Sequence, residues 1–498
     1  MSSNKIHVFT ERLILSPLHP FLFSVYFIFR LYAVNIHGVP FLNFVRPVLV
    51  SVLVTGAFNL LFYLIVRSRD TAAFITSALL FMFYSYDLVR RLLIPRIFFI
   101  DSLSFALIWA LSALALIVWI GWRKKAIQDN NILAGTNLIA IILLLFPAMQ
   151  ALRYSVVKNL PFYPKVNHIV DTSAPSSPPD VYYIILDSYS RADVLLDNYE
   201  FDNSEFIQSL RDLGFYVAEC SQSNYRSTGL SLASSLNFDY IQNLSDEFHP
   251  DETELMNLFK LLDDNMVKES FANLGYETMA FASGFTWAEW KDVDYFIEPP
   301  YGPITEFETV VLLSSYARIV DDLGIINIDD VYAERFRERT RLVLGSFESM
   351  ANRPGPQFVF IHLIVPHTPF AFDREGNPVA PDQSNPSEGY VNQVMFINKF
   401  ILPNLKILIE ESETPPVIIL QGDHSQLRKD SPGRVKILNA YYLPDGENAL
   451  YPSISPVNSF RIVFNTYFDT TFPLLPDVSY LSKSSVYDFM VIENTCPQ

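Results

Sequence analysis

The chain has 498 residues, half of them hydrophobic, and a formal net charge of −17, which is room for two or three domains. The charge is divided: residues 1–170 carry 15 Lys and Arg against 5 Asp and Glu, and the remainder carries 21 against 48. That acidity excludes nucleic acid as a partner of the second part, since phosphate binding needs a basic face. Two cysteines, Cys220 and Cys496, exclude a disulfide framework and leave open either one bridge or two free thiols.

Apolar stretches of spanning length recur at 14–34, 47–67, 72–89, 98–122 and 131–151, predicting about five transmembrane helices in a membrane domain of residues 1–155. Pro17, Pro20 and Arg30 interrupt the first stretch, and Asp87 makes the end of the third indefinite. With the N-terminus inside, Lys5, Arg12, Arg67, Arg69, Arg123, Lys124 and Lys125 face the cytoplasm, and Arg46, Arg90, Arg91 and Arg96 lie outside. The positive-inside rule favours that orientation and puts residues after 151 on the extracytoplasmic side of the plasma membrane. No small-residue cleavage site follows the first stretch, so a multi-pass anchor is expected rather than a removable signal. Asp87 and Asp101 read as interfacial carboxylates, not as a transport path. The spans then hold the rest of the chain in the bilayer and help present a lipid substrate.

Residues 156–180 are the expected linker, and their later part, PFYPKVNHIVDTSAPSSPPD, is rich in Pro and Ser. From 181 to 498, short apolar runs alternate with amphipathic segments such as SEFIQSLRDLGF and RFRERTRLVLGSFESMA. That alternation predicts an α/β domain with a mostly parallel sheet flanked by helices. Three runs are continuously apolar and end on chemistry: VYYIIL at Asp187, FVFIHLIV at Pro366-His367, and VIIL at Asp423-His424. Continuous runs fit strands covered on both faces, and open α/β sheets bind ligands beyond their carboxyl ends. A single Asp after a strand is commonly a turn former, and His362, inside its run, reads as buried and hydrogen-bonded. Three such ends together read as a metal-binding group in one crevice.

A nucleophile is offered by SNYRSTGLSLASSLN (223–237), where a polar stretch turns into a helix-like run of small and apolar residues. Thr228 falls at or next to the helix start, where free N–H groups and the dipole favour negative charge. A hydroxyl there, beside a divalent ion, can be held as the alkoxide and attack phosphorus. Ser227 is its neighbouring competitor, and either residue could serve only as an N-cap. Residues 431 onward read as irregular and strand-poor, with Asp469 and several tyrosines available to line the mouth of a site.

The motifs PDVYYIILDSYSR, YRSTGLSLASSLN, FIHLIVPHTPF and VIILQGDHS, in this order and over about residues 180–430, resemble the alkaline phosphatase superfamily. The resemblance is to the sulfatase-like domain of membrane-anchored enzymes such as lipoteichoic acid synthases and phosphoethanolamine transferases, whose multi-span anchor the N-terminal half also matches. The resemblance implies Asp187, Thr228, Asp423 and His424 as ligands of one divalent metal ion (Mn2+, Mg2+ or Zn2+). It implies Thr228 as the nucleophile and His367 as the residue that steadies or protonates the leaving group. No histidine follows His424, so one metal is expected rather than two. Cys220 opens CSQSNYR, with Gln222 and Asn224 where the formylglycine motif of true sulfatases has Pro and Arg, which disfavours sulfate-ester hydrolysis. The expected function is a metal-dependent phosphoester transferase acting on lipid head groups or envelope glycans. The alternatives are a phospho- or sulfo-hydrolase without acceptor transfer and a catalytically silent membrane binding protein.

Overall fold

The computed structural model describes residues 16–94, 101–166, 168–170, 174–300, 302, 304–325, 328–380, 385–494 and 496. The chain forms two compact units: Met1–Leu160 with Tyr301–Tyr332, and Pro161–Pro300 with Ala333–Gln498.

The first unit is helical. Helices α1 (His19–Val34), α2 (Phe41–Val66), α3 (Arg69–Leu93), α4 (Ser102–Trp122) and α5 (Asn130–Asn159) follow one another. The last four are long and apolar enough to cross a membrane, whereas α1 has 16 residues, fewer than the ~20 a perpendicular span needs. The first residues of the expected stretch 14–34 lie outside the described residues. Helix α2 carries Leu42, Leu53 and Ile65 at 80%, 72% and 67% exposure, an outward apolar face that water would penalise and acyl chains would not. Helix α3 has Ser68 as its N-cap, accepting from the Thr71 N–H. The cap of α4 is Asp101, which accepts from the Ser104 N–H at 2.7 Å. Asp87 is buried and pairs with Arg90 at 3.1 Å and Arg91 at 2.6 Å, with Arg318 3.7 Å away. Residues 301–332, which follow part of the α/β half in sequence, thus join the helices. Their helix Glu306–Leu313 is closed by a Thr305/Glu308 capping box, and Glu308 pairs with Arg46.

The second unit is built on a seven-stranded sheet in the order β2-β7-β6-β1-β5-β3-β4. The strands are β1 Val181–Leu186, β2 Tyr216–Val217, β3 Glu277–Phe281, β4 Tyr295–Ile297, β5 Gln357–Leu363, β6 Val417–Gly422 and β7 Asn439–Tyr442. Pairs β6/β1, β1/β5, β5/β3 and β3/β4 are parallel, and only β7 runs antiparallel to its neighbours β6 and β2. Every residue of β1, β5 and β6 is buried. Alternate side chains enter opposite cores: Tyr183, Ile185, Phe360 and Ile419 on one face, Tyr182, Ile184, Ile361 and Leu420 on the other. This is why the runs are continuously apolar rather than alternating. Each fully buried aliphatic side chain contributes roughly 1.5–3 kcal/mol, so the sheet centre is the stiffest frame available to a site.

The stretch after 430 differs from its expected irregular, strand-poor character. It contains β7, a helix Pro456–Tyr467 and the hairpin β8 (Ser479–Ser482) with β9 (Phe489–Ile492). Residues Pro456–Phe464 are all buried, Asn458, Ser459 and Arg461 among them, so the polar side chains of this helix are bonded inside the unit rather than facing water, and the strands have only four residues each. Tyr467 donates to the Pro444 carbonyl at 2.6 Å and Tyr480 stacks on Tyr225. These tyrosines thus belong to the packing of the unit. The two cysteines are joined in a Cys220–Cys496 disulfide across 276 residues, which resolves the choice that sequence leaves open. The described residues of 161–180 are tied down: Lys165 N–H donates to Leu244 O at 2.7 Å, and Val170 N–H to Ser270 Oγ at 2.9 Å.

Candidate active site

Strand β1 lies between β5 and β6, with Leu186 opposite both Leu363 and Gly422, so the three carboxyl ends are level. Asp187 follows β1 directly and its N–H donates to Leu363 O at 2.9 Å. Ser188 then turns the chain in the left-handed region, φ 65°, a conformation rare for a residue with a Cβ. The turn brings the Ser188 N–H to Asp423 Oδ1 at 2.9 Å and its hydroxyl to Asp187 Oδ1 at 3.0 Å. Gly422 ends β6 because a Cβ there would stand 2.4 Å from the Tyr189 carbonyl oxygen. Glycine is needed for that close approach, and Asp423 and His424 follow at once.

Asp187, Asp423 and His424 each offer one ligand atom, and the three atoms lie within 4.8 Å of one another, all from buried residues. His424 Nδ1 is 3.0 Å from the Ser425 carbonyl oxygen. A carbonyl only accepts, so Nδ1 carries the proton and Nε2 presents its lone pair. Nε2 is 3.5 Å from Asp423 Oδ2 and 3.3 Å from Thr228 Oγ1. Burial holds the His424 pKa below its ordinary value, against the pull of Asp423 and Asp187. Burial opposes the charge on Asp187, yet His367, the hydrogen bond from His362 and His424 together hold its carboxyl well below the usual range. Asp423 Oδ2 is buried without a hydrogen-bond partner, a state costing about 1–3 kcal/mol or more when nothing satisfies the atom. Two carboxylates, a neutral imidazole with a fixed tautomer, and an orphaned carboxylate oxygen form a donor set that fits a divalent cation.

Thr228 is the first residue of α6 (Thr228–Leu236) and Ser227 its N-cap, but the Ser227 side chain makes no capping hydrogen bond. The helix N-terminus therefore keeps its N–H groups for something other than Ser227 Oγ. All nine residues of α6 are buried, which small side chains such as Gly229, Ser231 and Ala233 permit. His367 stands four residues past β5 and is half-buried. Its N–H donates to Asp187 O at 3.1 Å, and its Nδ1 is 2.8 Å from Thr368 O. It is not one of the three clustered ligand residues. His362 is buried, with Nε2 3.2 Å from Asp187 Oδ2 and Nδ1 without a hydrogen-bond partner. Its bond is to the carboxylate of the cluster itself, so it orients Asp187.

Two contributors went unread in the sequence. Ser188 touches Asp423, Asp187 and, at 3.3 Å, His424 Nδ1. Arg434 is 9% exposed, with Nη2 3.4 Å from His424 Nε2. The first could have been suspected from its place next to Asp187; the second carries no local signal. The Cys220 thiol is consumed in the disulfide, and Asn224 is committed to structure, donating to Ser455 Oγ and Val478 O and accepting from the Val457 N–H.

A mostly parallel sheet that gathers this donor set at its carboxyl edge, in a chain that also carries a multi-helix apolar unit, defines a member of the alkaline phosphatase superfamily. Within it the chain belongs to the sulfatase family, whose model matches residues 179–454. Among solved structures it is similar to the integral membrane lipooligosaccharide phosphoethanolamine transferase A (EptA) from Neisseria meningitidis, at 13% identity and a TM-score of 0.44, covering 91% of this chain and 94% of that one. It is also similar to the zinc complex of the C-terminal periplasmic domain of EptC from Escherichia coli, at 12% identity and 0.38, covering 62% and 86%. A third is the lipoteichoic acid synthase LtaP from Listeria monocytogenes, at 12% and 0.35, covering 68% and 91%. No curated protein matches the chain in sequence.

Proposed function

We propose that the chain is a membrane-anchored, metal-dependent phosphoester transferase with Thr228 as nucleophile, acting on lipid head groups or envelope glycans outside the membrane. The observation that supports this most is the 3.3 Å approach of Thr228 Oγ1 to His424 Nε2, beside the buried Asp187 and Asp423 carboxylates. Asp187, Asp423, His424 and Thr228 would hold one divalent cation, Mn2+, Mg2+ or Zn2+. When bound, such a cation supplies positive charge that acidifies a hydroxyl and offsets the charge of ester oxygens. Thr228 Oγ1, having released its proton to solvent, attacks phosphorus as the bond to the leaving alcohol breaks. His367 protonates or steadies that departing oxygen. The N–H groups at the start of α6 favour the charge that develops on the phosphoryl group. An acceptor alcohol then attacks the phosphothreonine, loses its proton, and the Thr228 oxygen leaves and is reprotonated.

The side of the membrane is argued from three features. Disulfides persist in oxidising compartments, and Cys220 is paired with Cys496. Residues 301–332 reach Arg46 and Asp87, which belong to the end of the helix set that the charge rule puts outside. At the other end, Lys124 Nζ donates to Val66 O and Gln128 to Ser68, close to Arg67, Arg69, Arg123 and Lys125. Pairing of Cys220 with Cys496 favours phosphate over sulfate esters, because the cysteine that opens the formylglycine-like stretch is not a free thiol.

The test is metal analysis and turnover of the purified full chain on a lipid extract, with products identified by mass. Transfer predicts a modified acceptor, a Thr228 peptide carrying a phosphoryl group in trapped samples, and about one divalent ion per chain. The ion is lost in Asp423→Ala together with turnover. Release of inorganic phosphate alone, with no acceptor product, replaces transfer by hydrolysis. Full activity in Asp423→Ala with no metal in the wild type rejects the site.

A further inference from the structure

Along α2, Arg46, Val50, Val54 and Phe58 recur at every fourth position and so share one stripe of the helix. The three apolar residues of that stripe are exposed. Together with Ala110 and Ala113 of α4 they line a cavity of about 760 Å³ among α2, α3 and α4. Its size falls in the range of roughly 300–1,000 Å³ typical of sites for small organic molecules. The alanines leave the room, since a larger side chain at either position would fill the gap.

Depth and polarity restrict what can occupy it. From Arg46 to Phe58 is twelve residues, about 18 Å at the helical rise, close to one leaflet of a ~30 Å hydrocarbon core. Hydroxyls in the wall are spent within the protein: Ser51 and Tyr84 share a hydrogen bond at 3.0 Å, and Thr76 donates to the Ala72 carbonyl at 2.9 Å. Charge stands only at the mouth, where Arg46 and Glu308 are the charged residues among the described lining and pair with each other. Glu308 is held in place by the capping box, its Oε2 accepting from the Thr305 N–H at 2.8 Å. The Arg46 side chain is half exposed. An open helix face takes whichever lipid diffuses past. A recess one leaflet deep, with a fixed cation and anion at its mouth, selects an amphiphile with a long hydrocarbon tail and both charges in its head.

We propose that this groove binds one acyl chain of a zwitterionic glycerophospholipid of the outer leaflet, with the phosphate at Arg46 and the ammonium at Glu308. The lining belongs to the helical unit alone. The site therefore rests on the reading of α2, α3 and α4 as membrane spans, and it stands or falls without Thr228. It also gives a use to residues 301–332, which supply Glu308 and so half of the head-group contact.

The test uses the full chain in phosphatidylglycerol nanodiscs that contain a trace of phosphatidylcholine with a diazirine midway along one acyl chain. Illumination and peptide mass spectrometry then read where that chain lies. Labels should concentrate on residues 50–58 and 110–117 and be sparse at Leu53 and Leu111, which are exposed outside the groove. Labelling of the groove should fall about tenfold in Arg46→Gln, the loss of one charge-assisted contact. Ala113→Phe, which fills the groove, should abolish it, whereas Leu111→Phe on the same helix should leave it unchanged. Melting temperatures near wild type show that the variants are folded; should Ala113→Phe not fold, the wild-type map and Arg46→Gln decide. Labels spread evenly over Leu53, Leu111 and the groove identify a merely annular lipid and overturn the proposal. So does groove labelling that survives Ala113→Phe in a folded variant, or that is equally strong when the diazirine is carried by phosphatidylglycerol. No metal ligand lines the groove, so each of these results leaves the reading of Thr228 untouched.

Discussion

Helix α2 and strand β1 are both almost wholly apolar, and they are opposite in exposure. Within the most apolar stretch of α2 only 11% of residues are buried, and Leu53 stands 72% exposed. In β1 every residue from Val181 to Leu186 is at 0%. The same side-chain chemistry therefore answers to two solvents. In α2 the backbone satisfies itself within the helix, so the side chains are free to face acyl chains. In β1 the backbone needs β5 and β6 on either side and the side chains need two cores. The reward of that second arrangement is position. A strand fixed on four sides delivers the residue after it to a defined place, and Asp187, Asp423 and the turn at Ser188 inherit that definition.

The sharpest way to break this contrast is at the edge of the sheet. Thr228→Ala should lower kcat at least about 1000-fold while leaving the melting temperature near wild type, since only a hydroxyl and a methyl are removed. Retained turnover would mean that the sheet edge positions some other nucleophile. Ile419→Ala, in the middle of β6 and fully buried, should cost about 2–5 kcal/mol in unfolding free energy, measured by denaturant titration. It should also loosen metal binding, because Asp423 and His424 follow directly from that strand. Leu53→Ala should fall at the bottom of the scale, within about 0.5 kcal/mol in micelles, with activity unchanged. A large effect there would show that α2 packs on protein at that point rather than on lipid.

How much of this could be read from sequence depended on how far apart the partners are along the chain. VYYIIL, FVFIHLIV and VIIL were legible as strands because complete burial leaves a continuous apolar run. Asp187, Asp423 and His424 were legible because each sits at most four residues from such a run. Thr228 was legible because helix starts have a short-range chemistry of their own. Arg434 was not: its only link to the centre is spatial, across loops whose sequence RKDSPGR reads as an ordinary polar turn. The joining of 301–332 to the N-terminal helices was hidden for the same reason. Its capping box is local, but the Arg46–Glu308 pair spans 262 residues. The helix Pro456–Tyr467 escaped because it is short and opens on a proline between loop-like segments, and its polar residues Asn458, Ser459 and Arg461 are buried with the rest. His362 was read as buried and hydrogen-bonded, which it is; its partner, Asp187, directly follows the neighbouring strand β1 and only register reveals it.

The C-terminal hairpin bears on when the centre can exist at all. Tyr480 N–H donates to the Asn224 carbonyl at 2.9 Å and Ser479 Oγ to the Ser223 carbonyl at 2.8 Å, so β8 braces the loop that leads into Thr228. The Cys220–Cys496 bond closes the chain just beyond β9. Residues 479–496 are synthesised long after Thr228 has left the ribosome and, in the proposed topology, meet an oxidant only across the membrane. The loop that leads into Thr228 therefore gains these braces only once the last twenty residues of the chain have folded back onto it.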